Sequence, residues 1–416
     1  MAHATAPRAP PALARRLLSF ELAFVLFLFA GVYKAWAPIS WIPADPTVLF
    51  GGLVGLSLPV VWVRAGMPRP PVALTVAGLF GLFLAYALLS GLWSESGIYY
   101  REKAFRLVTA TALSLLGALA LSQRPARTRR FLALAAGFSV LVTLGALTSV
   151  AHTALVAETS TPRPFGTNYL IVGRAIGFGA VILAAALLCY PLDRRERLGA
   201  GIALLLALVA LVGLGGRGPL VATVASIGAV GAFATLLDGT LPRLDRRALV
   251  AGIGGLGLLG VLLVTVGRSI RGVYRFLILL ESPGDSLGAR LGYYDVTLDL
   301  WLAGPTVRGA GLGSWPIAMG RGDERGYPHN VVLELLYELG LVGAALFFAL
   351  LAVGLATLVR GWRAHRRPEA VAIGALCLFT LLNAMVTGDL NDNRFLFAII
   401  GLLCYRPVAG SASSRS

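Results

Sequence analysis

The sequence predicts an all-α, polytopic membrane protein of about twelve transmembrane helices, with a helical extracytoplasmic loop between spans 9 and 10. Three observations carry this. Of 416 residues, 57% are hydrophobic and only 13% charged, about half the charged share of a soluble globular protein. The apolar residues gather into runs of the length a helix needs to cross a bilayer's hydrocarbon core, about 20 residues. The alternation that a membrane β-barrel would show is absent.

The runs lie at 17–36, 47–63, 72–93, 104–122, 131–150, 170–192, 198–214, 218–237, 248–266, 338–359, 370–388 and 394–405. They are rich in Gly, Ala and Leu, and small residues let helices approach closely where lipid removes the hydrophobic drive for association. The first run has Glu21 near its start and no small-residue cleavage site, so it reads as a retained helix rather than a removed signal peptide. Three regions follow: residues 1–266 with spans 1 to 9, residues 267–337 as the extracytoplasmic loop, and residues 338–416 with spans 10 to 12 and a tail.

Orientation comes from charge. The chain has 36 basic and 20 acidic residues, a formal +16, and 34 of the basic residues are Arg. Such a balance usually suggests nucleic acid. Here the charges stand isolated between apolar runs, so the expected surroundings are membrane lipid and no nucleic acid. With the N-terminus inside, 21 of the 36 basic residues fall in short cytoplasmic segments, among them Arg124, Arg127, Arg129, Arg130, Arg360, Arg363, Arg366 and Arg367. This is the positive-inside pattern, and twelve spans put both termini in the cytoplasm. The cytoplasmic side then sums to +15 and the outer side to +1. Cys189, Cys377 and Cys404 sit within spans, and His3, His152, His329 and His365 are scattered, so neither a disulfide framework nor a metal site is predicted.

A structureless loop as long as 267–337 is improbable unless it functions or has helices of its own. Two helical patterns fit: residues 270–280, with Ile270, Tyr274, Leu277 and Ile278 on one face, and residues 291–302, with Leu291, Tyr294, Leu298 and Trp301. The loop holds Arg268, Arg271, Arg275, Arg290, Arg308, Arg321 and Arg325, nearly balanced by six acids. Surface ion pairing accounts for such arginines, yet a guanidinium also matches phosphate oxygens bidentately. Arg217, in Gly215-Gly216-Arg217-Gly218-Pro219 at the outer joint of spans 7 and 8, is either snorkelling to headgroups or facing a ligand that the glycines admit.

In Tyr327-Pro328-His329-Asn330, Pro328 stops what precedes and Asn330 is a good N-cap for the apolar helix that follows. His329 is therefore expected beside a helix N-terminus, where partial positive charge keeps an imidazole neutral, the form a general base needs. A bystander at the membrane interface fits the position as well. Glu334 and Glu338 are four apart on one helix face, and a solvated face or ion pairs with nearby arginines is the favoured reading over acid/base work. Gly309-Ala310-Gly311-Leu312-Gly313 has no preceding strand and no Lys-Ser/Thr after it, so it reads as a tight re-entrant turn rather than a phosphate loop. Asp389-Leu390-Asn391-Asp392-Asn393-Arg394 is a short outer loop, either a polar turn or a segment whose Asp389 or Arg394 faces the same cavity.

These residues resemble the O-antigen ligase family of bacterial envelope enzymes. The signature there is His-Asn (or Ser/Gln), nine residues, then Gly-x-x-Gly. Here it reads His329-Asn330, nine residues through Leu339, then Gly340-Leu341-Val342-Gly343. Gly216-Arg217-Gly218 is similar to the family's small-residue-Arg-Gly turn, and Arg290 to its loop arginine. The resemblance covers mainly residues 210–400; the first six spans match in number and hydropathy only. One departure is Ala344, where the family often has Thr, and at the entrance of a span this reads as packing. The resemblance implies transfer of O antigen from undecaprenyl diphosphate to lipid A core, with inversion and without metal, cofactor or nucleotide. In it His329 is the base, Arg217 and Arg290 hold and stabilise the diphosphate, and Asn330, Asp389 and Arg394 join them in binding substrate. It also implies the bacterial inner membrane and a periplasmic site. An O-antigen polymerase or a protein O-oligosaccharyltransferase shares these features. A transporter or flippase is the more remote alternative, disfavoured because no repeat relates the halves.

Overall fold

The computed structural model describes residues 19–65, 71–155, 162–238 and 285–406, and among them there is no strand. The helices are α1 (Phe20–Tyr33), α2 (Pro46–Ala65), α3 (Pro71–Leu89), α4 (Ile98–Arg106) and α5 (Ala112–Ser122). They continue with α6 (Pro125–Leu155), α7 (Tyr169–Cys189), α8 (Arg194–Leu214), α9 (Arg217–Asp238) and α10 (Asp285–Ala303). The last four are α11 (Trp315–Ala318), α12 (Val331–His365), α13 (Pro368–Ala384) and α14 (Arg394–Leu402). A π-helical turn, Leu107–Thr111, joins α4 to α5.

All the predicted apolar runs except one are helices. The exception, 248–266, and the expected short helix at 270–280 lie outside the described residues. Seven helical segments are long and apolar enough to cross a membrane: Pro46–Arg64, Pro71–Leu92, Ile98–Ser122, Pro125–Thr153, Tyr169–Cys189, Arg194–Leu214 and Val331–His365. Phe20–Tyr33, Arg217–Phe233 and Pro368–Ala384 are shorter apolar helices beside them. The chain is an all-α, multi-pass membrane protein.

Local chemistry sets the helix ends. Ser19 caps α1 through Leu22 N, and Asn168 caps α7 through Leu170 N at 2.8 Å. Asp193 and Glu196 close a reciprocal capping box on α8, which ends at Gly215 in the left-handed conformation. Aromatic clusters fill the core. Phe29, Phe138, Phe178 and Phe395 stack with ring centroids 5.0–5.9 Å apart, and Phe80, Phe83, Phe347 and Phe397 form a second group at 6.0–6.4 Å.

Successive long helices reverse direction, so the bundle has two chemically distinct ends. At one, exposed arginines tie neighbouring helices together: Arg124 donates to Arg64 O at 2.7 Å, Arg129 meets Glu369 at 3.0 Å and Arg130 meets Glu21 at 3.7 Å. These residues belong to the segments predicted to be cytoplasmic. The opposite end gathers the loops around residues 94–99, 304–330 and 385–393.

At that second end α12 is broken. Gly340 has φ 63 and ψ −166, which divides the helix into a short arm, 331–339, and the long membrane helix from 341. A break frees backbone groups that hydrocarbon cannot satisfy. The 304–313 loop takes them up: Ala310 N and Gly311 N donate to Tyr337 O and Glu338 O at 2.8 Å, while Leu341 N and Val342 N donate to Thr306 O and Val307 O at 3.0 and 3.2 Å. The glycine run is thus a tight turn, as predicted, with Gly309, Gly311 and Gly313 all at positive φ. A Cβ on Gly340 would overlap Val307 O and Gly309 N, so the two glycines must meet backbone to backbone.

The kink predicts an asymmetry between glycines. Gly340→Ala adds both that overlap and a backbone conformation that costs a side chain about 1–3 kcal/mol. It is expected to lower the melting temperature of detergent-purified protein by several degrees, read by fluorescence-detected size exclusion after heating. Gly374→Ala, whose new methyl would lie an ordinary 3.5 Å from Leu358, is expected to melt as wild type.

Candidate active site

His329 stands at the turn into the short arm of α12. Asn330 is the N-cap: its side-chain oxygen accepts from Val332 N at 3.0 Å and Leu333 N at 3.2 Å, as the sequence predicts. The sharp entry forces His329 itself to φ 60, a rare conformation for a residue with a Cβ. Tyr327 packs edge-on against the imidazole with centroids 4.6 Å apart, and Tyr293 lies nearly parallel to it at 6.4 Å. Nδ1 is buried without a hydrogen-bond partner. Burial first, then the positive charges of Arg290 and Arg321, hold the His329 pKa below the ordinary imidazole value of 6.5. The shift favours the neutral ring, and its main cause is desolvation rather than the helix N-terminus.

Arg290 reaches this site from α10. That helix begins earlier than the predicted 291–302, and its packed face differs from the predicted one. Tyr293, Tyr294, Thr297 and Trp301 face the protein, while Leu291 and Leu298 are exposed. Thr297 is buried because it accepts from the buried Trp315 indole at 2.8 Å, a polar anchor that hydrophobic periodicity does not register. Tyr294 OH donates to Met385 O at 2.9 Å, with His329 O 3.4 Å away, and so fixes α10 between the imidazole and the 385–393 loop. Arg217 opens α9 directly after the left-handed Gly215. The next residue, Gly218, abuts Val386 of the same loop. Tyr294 of α10 and the glycine after Arg217 thus both border the segment around Met385 and Val386, while Arg290 lies close to His329.

Asp389 is fully buried. Its Oδ2 accepts from Tyr99 OH at 3.0 Å and faces Arg325 Nε at 3.6 Å, and its Oδ1 accepts from Asp392 N at 2.6 Å. Arg325 also meets Asp392 at 2.6 Å. Burial alone would lower the Arg325 pKa, but Asp392 and Asp389 hold it above the ordinary value. Burial and Asp389 push Asp392 up against the opposing pull of Arg325. Arg394, which opens α14, sits with its guanidinium 5.6 Å from the Phe27 ring centre and near Asp392. Arg325, which lies over the Tyr327 ring, links Asp389 and Asp392 to the aromatic neighbour of His329.

Two sequence readings are corrected. Glu334 and Glu338 are neither solvated nor paired with arginine. Both are buried, 1% exposed, and Lys103 Nζ binds them at 2.5 and 2.6 Å. The short arm turns that helix face inward against α4, which hydropathy along one helix does not reveal. The outer-loop arginines, for their part, are not all ion-paired. Arg325 has acidic partners, whereas Arg321 lies over the rings of Tyr293 and Trp315 and Arg308 over Trp93. Arg268, Arg271 and Arg275 fall outside the described residues.

Several residues of this end had no sequence assignment. Lys103 is one of two lysines among 34 arginines, and a like-charged i,i+4 pair in an apolar helix requires a cation, so it was open to inference. Arg174 sits in α7, its guanidinium beside Gly388. Asp323 clamps the 316–326 loop to the N-terminus of α4, accepting from Ser96 Oγ and Ile98 N at 2.6 Å, Gly97 N at 2.8 Å and Tyr99 N at 3.0 Å. Burial, the largest single influence, raises its pKa, but those four donors together outweigh it and hold Asp323 well below the usual carboxylate range.

Residues 202–348 match the protein-family model described as O-Antigen ligase. A search of curated proteins finds no match to the chain. The matched stretch runs from α8 to just past the α12 kink, and so includes Arg217, Arg290, His329 and Asn330 but neither Lys103 nor the 385–394 loop.

The Asp323 clamp has a measurable consequence. Asp323→Ala removes a helix cap of a kind worth about 0.5–2 kcal/mol. Hydrogen exchange at the Gly97, Ile98 and Tyr99 amides is expected to accelerate at least several-fold while the interior of α7 keeps its protection. Because the folded pKa of Asp323 is depressed, the clamp persists above the unfolded carboxylate value and is lost only as pH falls through the folded one. Wild-type exchange at these amides should therefore show no opening of the clamp at pH 5.

Proposed function

We infer that the chain, whose residues 202–348 match the O-antigen ligase family model, belongs to the O-antigen ligase/polymerase superfamily of glycosyltransferase-like membrane enzymes. From that premise we propose that it is an O-antigen ligase, moving O-antigen glycan from undecaprenyl diphosphate to lipid A core by inverting, metal-independent transfer. The observation that carries the reading is a buried-side, neutral imidazole at a helix N-terminus, with Arg290 close enough to depress its pKa.

In the proposed reaction His329 accepts the proton of the acceptor sugar's hydroxyl through Nε2, since Nδ1 is buried. The hydroxyl oxygen bonds to the anomeric carbon from the face opposite the diphosphate. The anomeric carbon–oxygen bond breaks, and undecaprenyl diphosphate leaves with the electron pair. Arg290 and Arg217 hold the diphosphate and stabilise the charge that grows on it, a contact whose loss typically lowers rate by about 10²–10³. Asn330 presents His329 by capping the arm, and Asp389 and Arg394 shape the far wall of the site. Both substrates are lipid-anchored, so the site lies in the bacterial inner membrane and opens to the periplasm, with both termini in the cytoplasm.

The test is complementation of a ligase-deleted strain, read as the lipopolysaccharide banding ladder, with immunoblots for membrane insertion. His329→Ala and Arg290→Ala are each expected to insert normally and yield no ladder; wild-type ladders from His329→Ala would refute the general base. Purified enzyme offered lipid A core, a second glycan unit or pilin decides the acceptor, and product on lipid A core alone is expected. The acid limb of kcat/KM should lie below pH 6.5 and move to higher pH in Arg321→Gln, since removing a neighbouring positive charge raises the imidazole pKa.

A further inference from the structure

Lys103 lies on α4, outside the family-matched stretch and in the part of the chain to which the site chemistry assigns nothing. We propose that Lys103 is a positioning residue for the transfer reaction. It locks the His329-bearing arm of α12 and the 389–394 loop to one helix, so that the base and the opposing wall of the site hold one register. This rests on the reading of His329 as general base.

Three sets of contacts meet at this residue. Its Nζ joins Glu334 and Glu338, both on the short arm that starts one residue after His329. Its carbonyl accepts from Asn391 Nδ2 at 3.0 Å, and Glu334 accepts from Leu390 N at 3.0 and 3.1 Å, so the ion cluster and the loop share partners. One turn earlier on the same helix, Tyr99 OH holds Asp389 at 3.0 Å. About two turns later, the end of the π-helical segment brings Thr111 Oγ1 within 3.3 Å of Asn391 Oδ1, and such widened turns occur often at functional sites. Three positions along this helical stretch, Tyr99, Lys103 and Thr111, thus hold the arm and the loop, which otherwise belong to distant parts of the sequence.

The ion cluster is not what packing alone would select. Buried charge sets can usually be replaced by apolar residues of similar volume without loss of stability. A compact ammonium, fully enclosed, can touch two carboxylates at once in one geometry only, which suits a role in register. Small errors of position are expensive in such reactions: about 1 Å of misplacement can lower rate about 10²-fold.

The test uses full-length enzyme in detergent with undecaprenyl-diphosphate glycan and lipid A core, with His329→Ala as reference. The triple variant Lys103→Met, Glu334→Gln, Glu338→Gln removes all three charges together and leaves none buried alone. It is expected to purify and melt like wild type, with kcat lowered about 10²-fold, donor KM within about threefold, and the acid limb of the pH profile unmoved. Wild-type kcat in the folded triple variant, or a kcat loss matched by an equal rise in KM, overturns the positioning role. If the triple variant does not fold, Asn391→Ala carries the test, because it removes the loop's bonds to the Lys103 carbonyl and to Thr111 while leaving the ion cluster in place; wild-type kcat there overturns the proposal. Full activity in His329→Ala is the separate result that removes the general base itself.

Discussion

The His329 end of this bundle depends on one requirement: charge withdrawn from water must be matched within the protein. Lys103, Glu334 and Glu338 are 0%, 1% and 1% exposed, and removing one partner from such a set typically costs about 3–5 kcal/mol. Their attraction therefore fixes α4 against the short arm of α12. Because Asp323 clamps the N-terminus of α4, the 316–326 loop is fixed as well, and with it Trp315, which holds Thr297 of α10. The helix bearing Arg290 is thus tied to the helix bearing Lys103 through hydrogen bonds that never leave this end of the molecule.

A second constraint, closure of the backbone, explains the spacing of the motif. Asn330 starts the arm and Gly340 ends it, and nine residues at 3.6 per turn make two and a half turns. That length sets Glu334 and Glu338 on the face turned to Lys103 and brings the broken helix end to the 304–313 loop. Gly343, buried just past the kink, leaves room for Leu339 to fold back over it. The spacing from His-Asn to Gly-x-x-Gly thus measures a helix between a cap and a kink, with the imidazole held at its start.

Much of the fold was legible because hydropathy reports spans directly. The helices α1 to α3, α5 to α9 and α12 to α14 follow the apolar runs, and Ser19, Asn168, Asp193 and Asn330 announce helix starts. The kink was not legible as a break, since Gly340 lies inside an apolar stretch and only its contacts with Val307 and Gly309 require the bend. The packed face of α10 was misjudged for a related reason: Thr297 and Tyr294 are held by hydrogen bonds, while leucines there face outward. At the site, His329, Asn330, Arg290 and Arg217 stood out through local motifs. Lys103, Asp323 and Arg174 did not, because what marks them is a partner hundreds of residues away or a neighbour in another helix.

The formal +16 divides into two kinds of charge that composition merges. At one end arginines such as Arg129 and Arg130 are about half exposed and paired loosely with Glu369 and Glu21, contacts worth little in stability. At the other end the net charge is small because acids and bases are enclosed together, and each is worth more for being out of water. Arg325 has Asp389 and Asp392 as partners, whereas Arg290 is close enough to His329 to depress its pKa. In the proposed reaction Arg290 meets the negative charge of the incoming diphosphate, while Arg325 serves the enclosed acids of the 389–392 loop, two roles that net charge alone does not separate.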